Sequence, residues 1–370
     1  MLPRQGPRVG GETRPREKAR LLYEWVSRNI TYGGNCIGVG AVVPRDVDVV
    51  LDNKMGDCKD HATLLQALLA AADVRSEQAL VNAGEQYELA ATPVVSMVNH
   101  GINYLPDLKL YVDATAKGIP FGYLPSGECA KPVIHVGRTG NAVERIPDEV
   151  PRSNTQAVRM AVKLSPTGGA SGTLKVSVKG GQAQAMRSWF NQLTPDQKNE
   201  FVRTLLQGWG MRGQGTIETG NTEGLADAYD FAMRFEIDNF LQRSSGVLPL
   251  AAPMRTPLPM NALADADSRI KATRASQCRG FRSEEVLEYE LPPNMTLSNV
   301  PPGARVRQPL IDYTATYKQS GRKFLVERSV DDKTATSICS AEVLNEFNRQ
   351  ARQVGENLGA QLMYARKAQR

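Results

Sequence analysis

The chain has 370 residues, 41% hydrophobic and 23% charged, a composition that allows true cores and a length that favours two domains over one. Its formal net charge is +6, and part of the excess sits in Arg4, Arg8, Arg14, Arg16, Lys18 and Arg20 at the start and in Arg366, Lys367 and Arg370 at the end. No run approaches the roughly eighteen apolar residues of a membrane-spanning helix, and no basic stripe accompanies a nucleic-acid reading motif, so neither a transmembrane segment nor a nucleic-acid partner is expected.

Residues 1–12, rich in Gly, Pro and Arg, are expected to be a flexible tail; residues 1–8 lack the apolar core of an export signal. A helix starts near Thr13-Arg14-Pro15, with Glu17 in its first turn and an apolar stripe of Ala19, Leu22, Tyr23, Val26 and Ile30. Gly33-Gly34-Asn35 closes it, and 36–55 reads as irregular, with a short apolar run at 47–51. The clearest helix follows Cys58: His61, Leu65, Leu68 and Ala72 fall on one line, widened by Leu64 and Leu69. Strands are expected at 77–81, 94–104, 108–113 and 133–136, an order that is α+β rather than βαβ.

A loop-like stretch at 137–156 separates a cysteine domain over 13–140 from a second domain over 155–370. In the second, strands at 157–164, 171–178, 229–240, 284–289, 306–317 and 323–329 surround one helical insertion at 182–208. A final helix from Ser340 carries Val343, Phe347, Ala351, Val354, Leu358 and Leu362 on one face. This pattern predicts a mainly β, sandwich-like domain with appended helices.

Cys36, Cys58, Cys129, Cys278 and Cys339 show no CxxC spacing, and His61, His100 and His135 are the only histidines, so neither a metal site nor a cofactor is expected. Cys278 and Cys339 flank the last strands and are the preferred disulfide pair if the protein is exported. In a cytoplasmic protein all five would be reduced.

Cys58 is the candidate nucleophile. It sits at a helix start, where orphan N–H groups and the helix dipole favour a thiolate and could also receive an oxyanion, and Gly56 just before it permits a tight turn. His61 lies one turn along the same helix, side by side with Cys58 and in line with the apolar stripe, which suits packing better than proton transfer. His100 is the better base. A hairpin centred between Pro106 and Asp107 would set His100 directly opposite Asp113, close enough for a carboxylate to hold the imidazole. His135 has no such partner and reads as structural. Asn53, Asp57 and Asn99 are candidates for oxyanion or substrate contacts, and Asp60 reads as an acid at a helix start.

The run Gly56-Asp57-Cys58-Lys59-Asp60-His61-Ala62-Thr63-Leu64-Leu65, followed by Asn99-His100 and Tyr111-Val112-Asp113-Ala114-Thr115, resembles the core of the transglutaminase-like superfamily. Upstream, 25–32 and 44–51 resemble the bacterial branch in which that core follows a domain of unknown function. The resemblance covers about residues 12–120 and implies a papain-like α+β fold with Cys58 as nucleophile, His100 as base and Asp113 as the orienting acid. It also implies a longer natural protein, with a preceding domain and an export signal, working in the periplasm or cell envelope; a cytoplasmic location is the alternative. The expected chemistry is acyl transfer, or amide or peptide hydrolysis, through a Cys58 thioester on a protein or peptide substrate. The other reading is a non-catalytic scaffold or binding protein of the same fold. Nothing in the sequence fixes the oligomeric state.

Overall fold

The computed structural model describes residues 11–34, 38–138, 142–148, 154–224, 226–241, 244–250, 263, 271–278 and 280–367. Residues 1–10 of the expected tail, and Cys36, lie outside that set. The chain divides into two compact units, residues 1–149 and 150–370.

Unit 1 begins with α1 (Pro15–Asn29), whose Pro at the start and Glu17 in the first turn suit a helix N-terminus. Its stripe of Ala19, Leu22, Tyr23 and Val26 is buried, as is Ile30 just beyond it. Strand β1 (Thr31–Tyr32) follows and pairs in parallel with β2 (Met55–Gly56). Between them the chain is not irregular throughout: Val47–Asn53 forms α2, which buries Val50 and Leu51. An apolar run this short has no readable period, which hid the helix. Then comes α3 (Cys58–Ala71), the helix anticipated from Leu64, Leu65, Leu68 and Leu69, all buried against the α1 stripe.

The unit's five-stranded sheet follows α3: β3 (Glu77–Val81), β4 (His100–Leu105), β5 (Leu110–Val112), β6 (Pro132–His135) and β7 (Val143–Arg145), antiparallel in the order β5-β4-β3-β6-β7. One face of this sheet packs on α1 and α3 through Leu105 and Val112, while Ala79, Val81, Ile102, Tyr111 and Val133 form a second core with Ile146. The strand expected over 94–104 is shorter. Val95–Met97 is a 3-10 turn, held where the Asn82 side-chain amide donates to the Met97 carbonyl at 3.0 Å.

Unit 2 contains β8 (Thr155–Leu164), β9 (Ala170–Lys179), α4 (Gly181–Gln192), α5 (Pro195–Gly208), β10 (Gly213–Thr219), β11 (Ala228–Ile237), β12 (Ser245–Leu248), β13 (Ser276–Gln277), β14 (Phe281–Glu290), β15 (Met295–Ser298), β16 (Ala304–Arg307), β17 (Ile311–Ser320), β18 (Lys323–Asp332), β19 (Ile338–Cys339), α6 (Ala341–Leu358) and β20 (Leu362–Arg366). An eight-stranded sheet, ordered β10-β11-β9-β8-β14-β18-β17-β16, forms its centre. Strict burial alternation along β8 and β11 turns Val158, Met160, Val162, Phe231, Met233 and Phe235 to one face. That face is covered by α4, α5 and the three-stranded sheet β12-β20-β15, while α6 covers Ile311, Tyr313, Ala315 and Val330.

The expected helical insertion is two helices, split where Thr194 caps α5 ahead of Pro195. The expected strand over 306–317 is likewise two, β16 and β17. Leu362, placed on the last helix by its spacing, instead starts β20, because α6 ends at Leu358 before Gly359.

Cys278 and Cys339 form a disulfide that joins the chain beside the β13–β19 pair across a sequence separation of 61 residues. Loop-closure entropy assigns such a cross-link about 4 kcal/mol. Denaturant unfolding with and without reductant is expected to differ by that order, and coincident curves would show that the cross-link constrains nothing.

Candidate functional site

The start of α3 is built around a reciprocal cap. Asp60 donates its N–H to Asp57 Oδ1 at 3.3 Å, and Asp57 returns its own N–H to Asp60 Oδ2 at 3.0 Å. Asp60 does more than complement a helix dipole. It is 1% exposed and takes three further bonds from Arg45: backbone N–H at 2.8 Å, Nε at 2.9 Å and Nη2 at 2.7 Å. Gly56 keeps a negative φ, and its role here is space, since a Cβ would lie 2.7 Å from Asp60 Cβ. These contacts set Cys58 at the first position of the helix, half-buried, with its thiol unbonded to any other cysteine.

Strand β4 crosses this helix start. Gly101 lies beside Lys59, where even a Cβ would make only an ordinary 3.9 Å contact with Lys59 Cα, and the Asn103 side-chain amide ties the strand to α3 through the Ala62 carbonyl at 2.9 Å. His100 is thereby presented to Cys58, which it meets through a hydrogen bond, and the Gly101 N–H also points at the sulfur. On its other side, His100 Nε2 lies 3.1 Å from Asp113 Oδ2. Since Nε2 faces Asp113, the nitrogen left for Cys58 is Nδ1.

The His100–Asp113 pairing is made by a different register from the expected one. Residues Leu105 and Leu110, and Asn103 and Val112, are partners, so the turn runs through the 3-10 residues Pro106–Leu108 and a left-handed Lys109 (φ 50°). The hairpin is centred between Asp107 and Leu108, one residue later than expected, so Asp113 falls diagonally from His100 and not opposite it. Diagonal neighbours remain within reach for long side chains. Thr115 completes the arrangement, giving Asp113 Oδ1 both its N–H at 2.9 Å and its hydroxyl at 2.7 Å.

Burial works against every charge here and is overcome in three cases. It pushes the Cys58 thiol up, but the His100 hydrogen bond, the Gly101 N–H and the imidazolium charge bring it below its ordinary value. Burial would lower the imidazole, yet bonds to Asp113 and Cys58 and the neighbouring carboxylate charge raise it to about 11. Burial would raise Asp113, yet His100 and Thr115 hold it below the usual carboxyl range. The activation expected from the helix start alone therefore comes largely from β4.

The remaining candidates fall elsewhere. Asn53 is exposed at the end of α2, and Asn99 is exposed with its Oδ1 accepting the Ala83 N–H at 2.9 Å. Asp57 is occupied by the helix cap and by an ion pair with Lys59. His61, 1% exposed, donates from Nδ1 to the Asp57 carbonyl at 2.8 Å. His135 is enclosed by Glu77 Oε2 at 3.1 Å and the Tyr111 hydroxyl at 2.9 Å.

Two residues near the site were not anticipated. Lys131 directs its ammonium to the carbonyls of Asn82, Gly84 and Gln86, which fixes the loop that Asn99 also grips. Glu128 is buried with its Oε1 3.6 Å from His100 Nε2. It lies in a turn with no period, and nothing in its sequence neighbourhood marks it; Thr115 could have been found from its position two residues after an aspartate. The donor atoms of His100, Asp113 and Glu128 lie within 4.8 Å of one another, the spacing of a metal site, but His100 and Asp113 already bond each other across that space. In unit 2, a cavity of about 740 Å³ on the open sheet face is lined by residues that include Lys163, Arg234, Glu236 and Glu288.

Residues 5–102 match the model of the transglutaminase-like superfamily core, a span that includes Cys58 and His100 and stops before Asp113. No curated protein matches the chain. Among solved structures it is similar to a candidate protease from Parabacteroides distasonis ATCC 8503, with 13% identity and a TM-score of 0.50 over 96% of this chain and 53% of that one. The chain thus spans about half the length of that protein, and the likeness is one of fold. Unit 1 is thus similar over residues 5–102 to a transglutaminase-like core, and a β-rich unit follows it.

The thiolate–imidazolium pair exists above the lowered thiol pKa and below about 11, where the imidazole deprotonates. Alkylation of Cys58 by iodoacetamide is therefore expected to decline less steeply between about pH 8 and about pH 6 than that of an ordinary thiol, which slows about tenfold per unit. His100→Ala should restore the ordinary slope. A wild-type rate that already falls with that slope would mean the thiol is not activated.

Proposed function

We propose that the transglutaminase-like core of unit 1 works as a cysteine enzyme that opens amide bonds through a thioester on Cys58. The observation that carries this reading is the continuous hydrogen-bonded chain from Cys58 through His100 to Asp113, with the thiol lowered and the imidazole raised. In the first half-reaction the Cys58 thiolate attacks the amide carbonyl carbon. Of the first N–H groups of α3, Asp57 caps that of Asp60 and accepts that of His61, which leaves those of Cys58 and Lys59 to receive the oxyanion. As the C–N bond breaks, His100 gives its Nδ1 proton to the departing amine, and an acyl thioester remains. In the second half-reaction water or an amine attacks the thioester while His100 takes the proton back, releasing an acid or a new amide and the thiolate.

A protein or peptide substrate is supported by the fold shared with a candidate protease. The Cys278–Cys339 disulfide supports an oxidising, extracytoplasmic location. Wild-type protein and Cys58→Ala, compared in unbiased peptide-cleavage and amine-incorporation screens, are expected to differ in at least one. Identical profiles would favour a scaffold that has kept the triad without using it.

A further inference from the structure

Glu128 is a buried acid that the acyl-transfer steps do not use. It lies in the turn between β5 and β6, where its N–H donates to the Pro125 carbonyl at 2.9 Å, and it is 3% exposed. Its side chain meets the Asp113 carboxyl and brings Oε1 to 3.6 Å from His100 Nε2, while Oε2 accepts no hydrogen bond. Two ionised carboxyl groups in contact, one with an unsatisfied buried oxygen, are strongly disfavoured. One proton between them removes the conflict. Asp113 is the group positioned to stay ionised, because it takes two bonds from Thr115 and faces the imidazolium. Burial and then the Asp113 charge push Glu128 well above the usual carboxyl range, against the pull of His100.

We propose that Glu128 is a positioning residue: its neutral carboxyl donates a hydrogen bond to Asp113 and fixes that carboxylate on His100 Nε2. The inference rests on the reading of Cys58, His100 and Asp113 as the working triad. The groups around Glu128 are consistent with a single shared negative charge. Tyr23, from α1, is itself buried, is held neutral by burial and by the two acids, and donates to the Ile119 carbonyl at 3.0 Å. Lys131, three residues on, turns its ammonium to backbone carbonyls of residues 82, 84 and 86. The imidazolium thus faces one carboxylate and one neutral acid, which orients it while leaving it a proton donor to a leaving amine.

The test uses the full chain and two variants, Glu128→Gln, which keeps a neutral donor, and Glu128→Ala, which removes it. Two readouts are followed: the titration of His100 by ¹⁵N NMR, tractable because the chain has 3 histidines, and the pH profile of Cys58 alkylation by iodoacetamide. Glu128→Ala is expected to lower the His100 titration and to slow alkylation near pH 6 by about tenfold, the equivalent of one pKa unit. Glu128→Gln is expected to restore both to wild type. Wild-type behaviour in Glu128→Ala, or equal damage in Glu128→Gln, overturns the proposal, the latter because it would show that charge and not donation matters. If Glu128→Ala does not fold, Glu128→Gln decides alone, an unshifted His100 supporting the proposal and a lowered one overturning it. An unreactive wild-type Cys58 would instead defeat the catalytic reading, and the His100 titration would still report on Glu128.

Discussion

His100 and Asp113 must carry opposite charges in a place from which water is largely removed. Asp113 is 2% exposed, and desolvation is the leading influence on its protonation, on that of His100 and on that of Cys58. Each group is ionised because its neighbours compensate for lost water, so the three protonation states stand or fall together. Much of unit 1 can be understood as the framework that keeps those neighbours within bonding distance.

That framework has two parts. The first is the capped start of α3, where Asp57 and Asp60 exchange backbone bonds and Arg45 neutralises Asp60. The second is the β3-β4-β5 portion of the sheet, pinned to α3 by Asn103. Neither part alone brings sulfur to imidazole. Removing Arg45 would leave the 1% exposed Asp60 carboxylate without its cation beside Cys58.

The sequence revealed the elements with strong period and missed those governed by local exceptions. The α1 stripe and the Leu64–Leu69 face of α3 were plain, and β3 was found over its full length, because amphipathic repetition survives without tertiary information. The hairpin register was not, since it depends on Lys109 adopting a left-handed conformation that its residue type does not advertise. Val94 to Met97 carry strand-forming side chains but turn, under the control of Asn82, which is distant in sequence. Cys58, His100 and Asp113, which the fold joins by hydrogen bonds, could be singled out from residue type and spacing. Glu128 was not, because a buried acid in an aperiodic turn gains its meaning only from what the fold sets beside it.

Strand β8 opens unit 2, yet it lies inside the eight-stranded sheet between β9 and β14, pairing in parallel with β14 from Arg282↔Thr155 onward. During synthesis, β8, β9, β10 and β11 can assemble into an antiparallel half-sheet while β14 is still untranslated. For that interval one side of β8 has unpaired backbone groups, a template for association with other chains. A nascent chain released before β14 would keep that edge permanently open. Late arrival of one strand thus makes unit 2 more dependent on timely completion of synthesis than its finished, fully paired interior suggests.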